Sequence, residues 1–408
     1  MKDRPWLAIA LAILVVVAIR LSTPLIQPMN DGMEYLKVAY RGLDPEAQLG
    51  APFVYRFAVP LTVHAVSLLT GADSLVIFPV VVFIACVALL VAVYLVALLS
   101  GASREHAILI LVLVASSVFV IRFPLYHPYS VDVEALLVAF GAFVFLLQRS
   151  YGLAATVSLL GLLFKEFMLA PILALIGLYF AQYLRDKGIR PLWWTLLVIV
   201  LALVVFLLPR LLIPITYGFG ASLKIQARAP NQTMYLSDLR TLLSWPPRLG
   251  VPVNLLLALV SFWLPALMLM TRSRWRSVWQ AIESNRIVIV LWTVAVLALA
   301  LVGGTNIMIF VTYSAPVLVL VLCLLMRGGI SKPELVITLV ATVLFNRMIF
   351  ATGAAGADLD LEIGFYGAFW WVLGSVTAWR FAEVAAWIVV AWMVRHFFPY
   401  QKPLRVSQ

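Results

Sequence analysis

The chain has 408 residues, is 64% hydrophobic and only 12% charged, and has a mean hydropathy of +1.06. A soluble globular domain carries roughly 25% charged residues, so that class is excluded and a polytopic membrane protein is expected. The net charge of +11, from 29 Lys and Arg against 18 Asp and Glu, reads as topology and attraction to membrane lipids, not as nucleic-acid binding.

Met1-Lys2-Asp3-Arg4 and the apolar run after it have the outline of a signal peptide. No small-x-small cleavage site precedes Ser22-Thr23-Pro24, so an uncleaved first helix is expected. Apolar runs able to cross a bilayer, allowing for tilt and short helices, fall near 5–22, 75–100, 107–121, 133–148, 153–164, 168–184, 191–215, 252–270, 287–303, 306–326, 335–351 and 378–395. Cys86 and Cys323 both lie inside such runs and point to neither a disulfide framework nor a metal site. Thirteen Trp and fourteen Tyr suit interfacial belts.

Twelve crossings with both termini in the cytoplasm put Arg104, Arg149, Arg185, Lys187, Arg190, Arg272, Arg274, Arg276, Arg327 and Lys332 on short inner connections, as the positive-inside rule requires. Of the 18 acidic residues only Asp3, Glu105, Asp186, Glu283 and Glu334 then fall inside. The run 57–71 would break the parity if it crossed, and it contains Pro60 and His64. It is expected to be an amphipathic helix in the outer interface. The segment 153–184 becomes a hairpin of two short helices with Lys165-Glu166 at its outer turn. The expected fold is an all-α transmembrane bundle of about twelve helices, one domain over 1–408. It has interfacial helices in the first outer loop (23–74), a long outer loop (216–251) and no separate soluble domain. No internal repeat is visible, which weakens a transporter built on inverted repeats.

The outer face collects the chemistry. Asn30-Asp31-Gly32-Met33-Glu34-Tyr35 follows the first helix, where ionisable groups are costly and therefore informative. Asp31 is the leading candidate base, with Glu34 as its partner or alternative; the competing reading is an N-cap with a capping-box-like Glu34. Tyr55-Arg56 can clamp a phosphate, or Arg56 can snorkel to headgroups. Asp132 and Glu134 read as helix-capping acids, and His127 before them as a second acid/base. Lys165 reads as facing a phosphate-bearing cavity, with pairing to Glu166 as its alternative. Lys224, Arg228, Arg240 and Arg248 in the long loop run against the topology rule and so suit an anionic ligand, although ordinary surface charge explains them equally. Arg347 is a further candidate cation. Asp358-Leu359-Asp360 matches a metal-binding DxD but, as three residues in a loop, is read as a decoy.

This ordering resembles the polytopic GT-C glycosyltransferases, particularly bacterial members that use polyprenyl-phosphate-linked sugars. The residues that carry it are Asp31, Tyr35 and Gly42, then Tyr55, Arg56 and Pro60, the Gly161–Glu166 helix end, and Gly303-Gly304-Thr305-Asn306 before Pro316. The resemblance implies a base at Asp31, interfacial helices in the first outer loop, and a lipid-phosphate donor bound outside the cytoplasmic membrane. It also implies a glycan, lipid or glycolipid acceptor, with Tyr35, Tyr55, His127 and Glu166 near it. Asn30-Asp31 stands where many members carry Asp-x-Asp or Glu-x-Asp, so no cofactor is expected and an obligatory divalent metal is in doubt. The expected reaction inverts the anomeric carbon: Asp31 takes the acceptor proton while Lys165, Arg56 or Arg347 meets the departing phosphate. Two alternatives are a flippase or transporter for a lipid-linked or anionic solute, and a membrane transferase like the O-antigen ligases and polymerases.

Overall fold

The computed structural model describes residues 5–213 apart from 24, 26, 27, 29, 30, 48 and 52, then 217–218, 250–302, 307–346 apart from 328, and 377–399. Eighteen α-helices lie among them. In chain order they are α1 (Pro5–Leu21), α2 (Asp31–Arg41), α3 (Ala58–Thr70), α4 (Ser74–Leu99), α5 (Arg104–Ala115), α6 (Phe123–Tyr126), α7 (Asp132–Leu147), α8 (Tyr151–Gly161) and α9 (Leu169–Asp186). There follow α10 (Ile189–Leu212), α11 (Gly250–Phe262), α12 (Leu264–Leu269), α13 (Arg272–Ala281), α14 (Arg286–Val302), α15 (Ile307–Val311), α16 (Ala315–Arg327), α17 (Lys332–Phe345) and α18 (Thr377–Phe397). Strand pairing among the described residues is limited to a parallel bridge joining Gly50–Ala51 to Tyr217–Gly218.

Among the described residues each apolar run falls on helix, and three runs are broken, two of them where a proline withdraws a backbone donor. α5 stops at Ala115, a π-turn covers Val118–Arg122, and Pro124 opens α6, so the two halves bend by 73°. Pro265 separates α11 from α12, and Pro316 follows the 3-10 turn Thr312–Ser314 between α15 and α16. Among the described residues four segments can cross a membrane by length and composition: Ser74–Leu99, Glu166–Asp186, Ile189–Leu212 and Ile309–Arg327. Counting each bent pair as one span raises that number to six. The fold is therefore an all-helical membrane bundle.

Burial sorts these helices into layers. α16 is buried along its whole length and packs on α4, α5, α12 and α13. α10 leaves Leu197, Val200, Leu203, Val204 and Leu211 exposed, an apolar flank that water would not tolerate over such a length. α9 lies against α14, with Gly177 directly facing Leu291, where a side-chain carbon would overlap. Over the opening loop, α3 packs on α2 and α4, and His64 Nδ1 donates to Ala39 O at 3.0 Å. Asp73 caps α4 by accepting from Leu75 N–H at 2.8 Å.

At one end of the bundle a single carboxylate ties four helices. Glu334, 1% exposed at the start of α17, accepts from Arg274 Nη1 at 2.6 Å, Arg274 Nη2 at 2.9 Å and Arg395 Nε at 2.8 Å. Arg274 also donates to Leu269 O and Gly329 O, and Arg395 to Met268 O. The knot thus joins the end of α12 to α13, α17 and α18. Replacing Glu334 by Gln leaves two arginines facing a neutral amide, which costs about 3 kcal/mol for a buried pair broken on one side. We expect thermal unfolding of Glu334→Gln in detergent to begin clearly below that of the parent; coincident curves would show that the knot contributes no stability.

Candidate active site

The site is assembled around the first turn of α2. Tyr35, Leu36, Val38 and Ala39 recur at helical spacing and bury one face of this helix. Asp31 and Glu34 sit in the first turn, where the helix dipole favours negative charge. Gly32 lets the turn approach the 127–129 loop: a Cβ there would lie 2.9 Å from His127 Cε1 and 3.0 Å from Tyr129 Cβ.

Asp31 is the first residue of α2. The residue is exposed, and no hydrogen bond to its carboxylate is found among the described residues. Protein crowding still desolvates the carboxyl and pushes its pKa above the usual 3.8, while Arg56 and then Lys165 pull it down; Asp132 adds to the rise. His127 also acts on it. That ring stacks on Phe123, with centroids 6.1 Å apart, and its Nδ1 is buried without a hydrogen-bond partner.

The loop 162–168 supplies the centre of the network. Lys165 is extended (φ −165°, ψ 148°), so Lys165 and Glu166 point to opposite sides and do not pair with each other. Glu166 Oε2 accepts from Arg56 Nε at 2.9 Å, and Arg210 Nη2 approaches its Oε1 at 3.4 Å. Arg56 Nη1 donates to the Tyr35 hydroxyl at 3.0 Å. Burial opposes the charge on Arg56, but the Glu166 carboxylate outweighs it and holds the guanidinium above its usual range. Burial pushes the Tyr35 phenol up. The Arg210 guanidinium also covers the Tyr55 ring, 4.8 Å from its centroid. The link from Ala58 N–H to Leu163 O, 3.2 Å, holds the start of α3 against this loop.

Lys165 turns the other way, into an ion pair with Asp132. Its ammonium also lies 5.3 Å from the Phe310 ring centroid. Phe167 stacks on Phe310 and Tyr313 at 4.6 and 4.9 Å, and the Tyr313 hydroxyl donates to Asp132 O at 3.3 Å. The capping reading of Asp132 is therefore corrected: Val131 holds the cap position without a side-chain bond, and the Asp132 carboxylate is committed to Lys165. Glu134 does not cap either; both its oxygens are buried without a hydrogen-bond partner.

Among the expected site residues, Asp31, Tyr35, Tyr55, Arg56, His127, Lys165 and Glu166 are brought together. Glu34 leaves the group, because its Oε1 pairs with Lys37 at 2.9 Å. A groove of about 940 Å³ runs on that side of α2, lined by Met33, Leu36, Lys37, Tyr40, Arg41 and Leu75 among others. Asn30, Lys224, Arg228, Arg240, Arg248, Arg347, the 303–306 turn and Asp358–Asp360 lie outside the described residues. No group of three or more His, Cys, Asp and Glu side chains able to hold a metal occurs among the described residues. Arg210 and Asp132 are the members that sequence reasoning missed. Arg210 carried a readable signal, a lone cation near the end of an apolar 24-residue helix.

The arrangement is electrostatically uneven. Glu166 serves two guanidiniums, while no cation is bonded to Asp31 among the described residues. The Lys165–Asp132 pair predicts strong coupling. Lys165→Met alone and Asp132→Asn alone should each cost about 3 kcal/mol, because each strands a buried charge. The double variant should lose much less than the sum of the two. Thermal unfolding of the four proteins checks this, and additive losses would show that the pair does not act as a unit.

No protein-family model, curated protein or solved structure matches the chain.

Proposed function

We propose that this protein is an inverting glycosyltransferase of the GT-C kind. It would move a sugar from a polyprenyl-phosphate carrier to an acceptor hydroxyl at the outer face of the cytoplasmic membrane. The observation that carries the reading is the exposed Asp31, whose carboxylate has no bond among the described residues, in the same electrostatic neighbourhood as Arg56, which Glu166 and Tyr35 hold in place. In this reading all twelve apolar segments cross, both termini are cytoplasmic, and the first loop with α2 and α3 lies outside.

The chemistry uses residues in these positions. The acceptor oxygen attacks the anomeric carbon as the bond from that carbon to the phosphate oxygen breaks, and polyprenyl phosphate leaves with the electron pair. Asp31 takes the acceptor proton; a pKa raised by desolvation makes it a stronger base than a solvated aspartate. Arg56, held in place by Glu166 and Tyr35, is a preorganised donor for the charge growing on the phosphate. Attack and departure on opposite sides of the ring give inversion.

Asp31→Asn keeps the shape of the side chain and removes the base. In a purified assay with a polyprenyl-phosphate-linked sugar it should lower transfer about 10²–10⁴-fold, the usual contribution of a general base. Full transfer by that variant would sink the reading. A flippase, by contrast, would move labelled lipid between leaflets and form no new glycosidic bond.

The pH dependence has a defined sign. Activity requires the carboxylate form, so it should fall as pH drops through the Asp31 pKa, with a midpoint above the ordinary 3.8. The residual activity of Asp31→Asn should lack that acid limb, and a limb of the same midpoint in the variant would assign it to another group.

A further inference from the structure

α13 is a short cationic helix whose outer surface is exposed and has no partner among the described residues. It runs Arg272–Ala281, is capped by Thr271 accepting from Arg274 N–H at 3.2 Å, and turns through 109° into the apolar α14. With α14 along the membrane normal, such a turn lays α13 close to the plane of the bilayer surface. Two inward groups fix its position: Val278 is fully buried, and Arg274 is tied to Glu334. The outward groups are of two kinds. Trp275 and Trp279 are exposed one turn apart, with ring centroids separated by 6.1 Å. Arg286 braces the second ring, its guanidinium 4.6 Å from the centroid and its Nη2 donating to Trp279 O at 3.2 Å. Arg272 and Arg276, also one turn apart, are exposed and pair with no carboxylate among the described residues. The nearby acid, Glu283, follows the C-terminal end of the helix, away from Arg272.

These two kinds of group match one chemistry. Tryptophan rings settle at the headgroup level of a bilayer, apolar body inward and N–H toward water. Guanidinium groups meet phosphate oxygens with a planar fork of donors. Two arginines without a facing carboxylate favour a headgroup that carries net negative charge over a zwitterionic one. We propose that α13 is a binding site for anionic phospholipid headgroups, with Arg272 and Arg276 on the phosphate and Trp275 and Trp279 seated beside it.

A label on α13 reads this directly. Cys86 and Cys323 are buried, so a fluorophore attached through Ser277→Cys, an exposed position on the same helix, reports from there alone. The full chain is reconstituted in bilayers of phosphatidylcholine and phosphatidylglycerol in which one lipid at a time carries a headgroup quencher. At roughly a kcal/mol for each of the two arginines near a membrane surface, phosphatidylglycerol should be enriched around the label by about thirtyfold over phosphatidylcholine. The enrichment should shrink as salt rises. It should collapse to near parity when Arg272→Gln and Arg276→Gln are combined, and persist when Arg185→Gln and Lys187→Gln are combined at the exposed end of α9. Survival of the preference without Arg272 and Arg276 would overturn the proposal. So would equal quenching by the two lipids in the protein that keeps both arginines, a comparison that needs no arginine variant to fold.

Discussion

One carboxylate holds the start of α2 and α3 in register with the bundle. Glu166 takes the Arg56 guanidinium from the segment before α3 and approaches Arg210 from the end of α10, while its own loop joins α8 to α9. Three stretches distant in sequence therefore meet on two oxygen atoms. Bringing such charges out of water is expensive, and their mutual attraction repays the cost only when geometry and further hydrogen bonds are good. Arg56 meets that condition through the Tyr35 hydroxyl, which ties the same knot to the second turn of α2. The placement of Asp31 at the start of α2 follows from this chain of bonds.

The loop conformation makes it possible. An extended Lys165 turns its neighbours to opposite sides, so one dipeptide serves two ion pairs in different parts of the bundle. Lys165 reaches Asp132 at the start of α7, and Phe167 stacks the same loop on Tyr313. A cation and an anion adjacent in sequence would be a poor pair for each other here. As separate anchors they fix the loop between α7, α10 and the segment before α3.

Much of the helical layout was legible in the sequence, because apolar runs of membrane-crossing length have few other uses. The run 75–100 became α4 with its ends shifted by one residue, and the 153–184 hairpin turned at Lys165-Glu166 as its charges suggested. Runs that averaged over Pro265 and Pro316 were read as continuous helices, although each proline removes a backbone donor and breaks the ladder, and the run 107–121 hid a break at Ser116-Ser117. The site was legible in its members and not in its pairings. Asp31, Arg56 and Lys165 stood out as charges among apolar neighbours. That Lys165 would choose Asp132, 33 residues away, depends on the packing of α7 against α8 and on the extended backbone at one residue, neither of which periodicity encodes. Arg210 was hidden for the opposite reason: a single charge hardly alters the hydropathy of a long apolar helix.

Comparing the two carboxylate-and-two-arginine knots separates structural from chemical use of the same groups. Around Glu334 the arginines also donate to Leu269 O, Gly329 O and Met268 O, and the Glu334 side chain is 1% exposed. Such a knot has little left to offer a ligand, and its effect is to fasten helices. Around Glu166 the side chain is 19% exposed, Arg56 is 12% exposed, and the further acceptor for Arg56 is a phenol, not a backbone carbonyl. A phosphate arriving there would compete with a neutral hydroxyl and a shared carboxylate, a weaker hold than two carbonyls and a bidentate acid. Glu334 thus fastens helices with its carboxylate closed to solvent, whereas Asp31, in the electrostatic neighbourhood of the Glu166 knot, is exposed and has no bond to its carboxylate among the described residues.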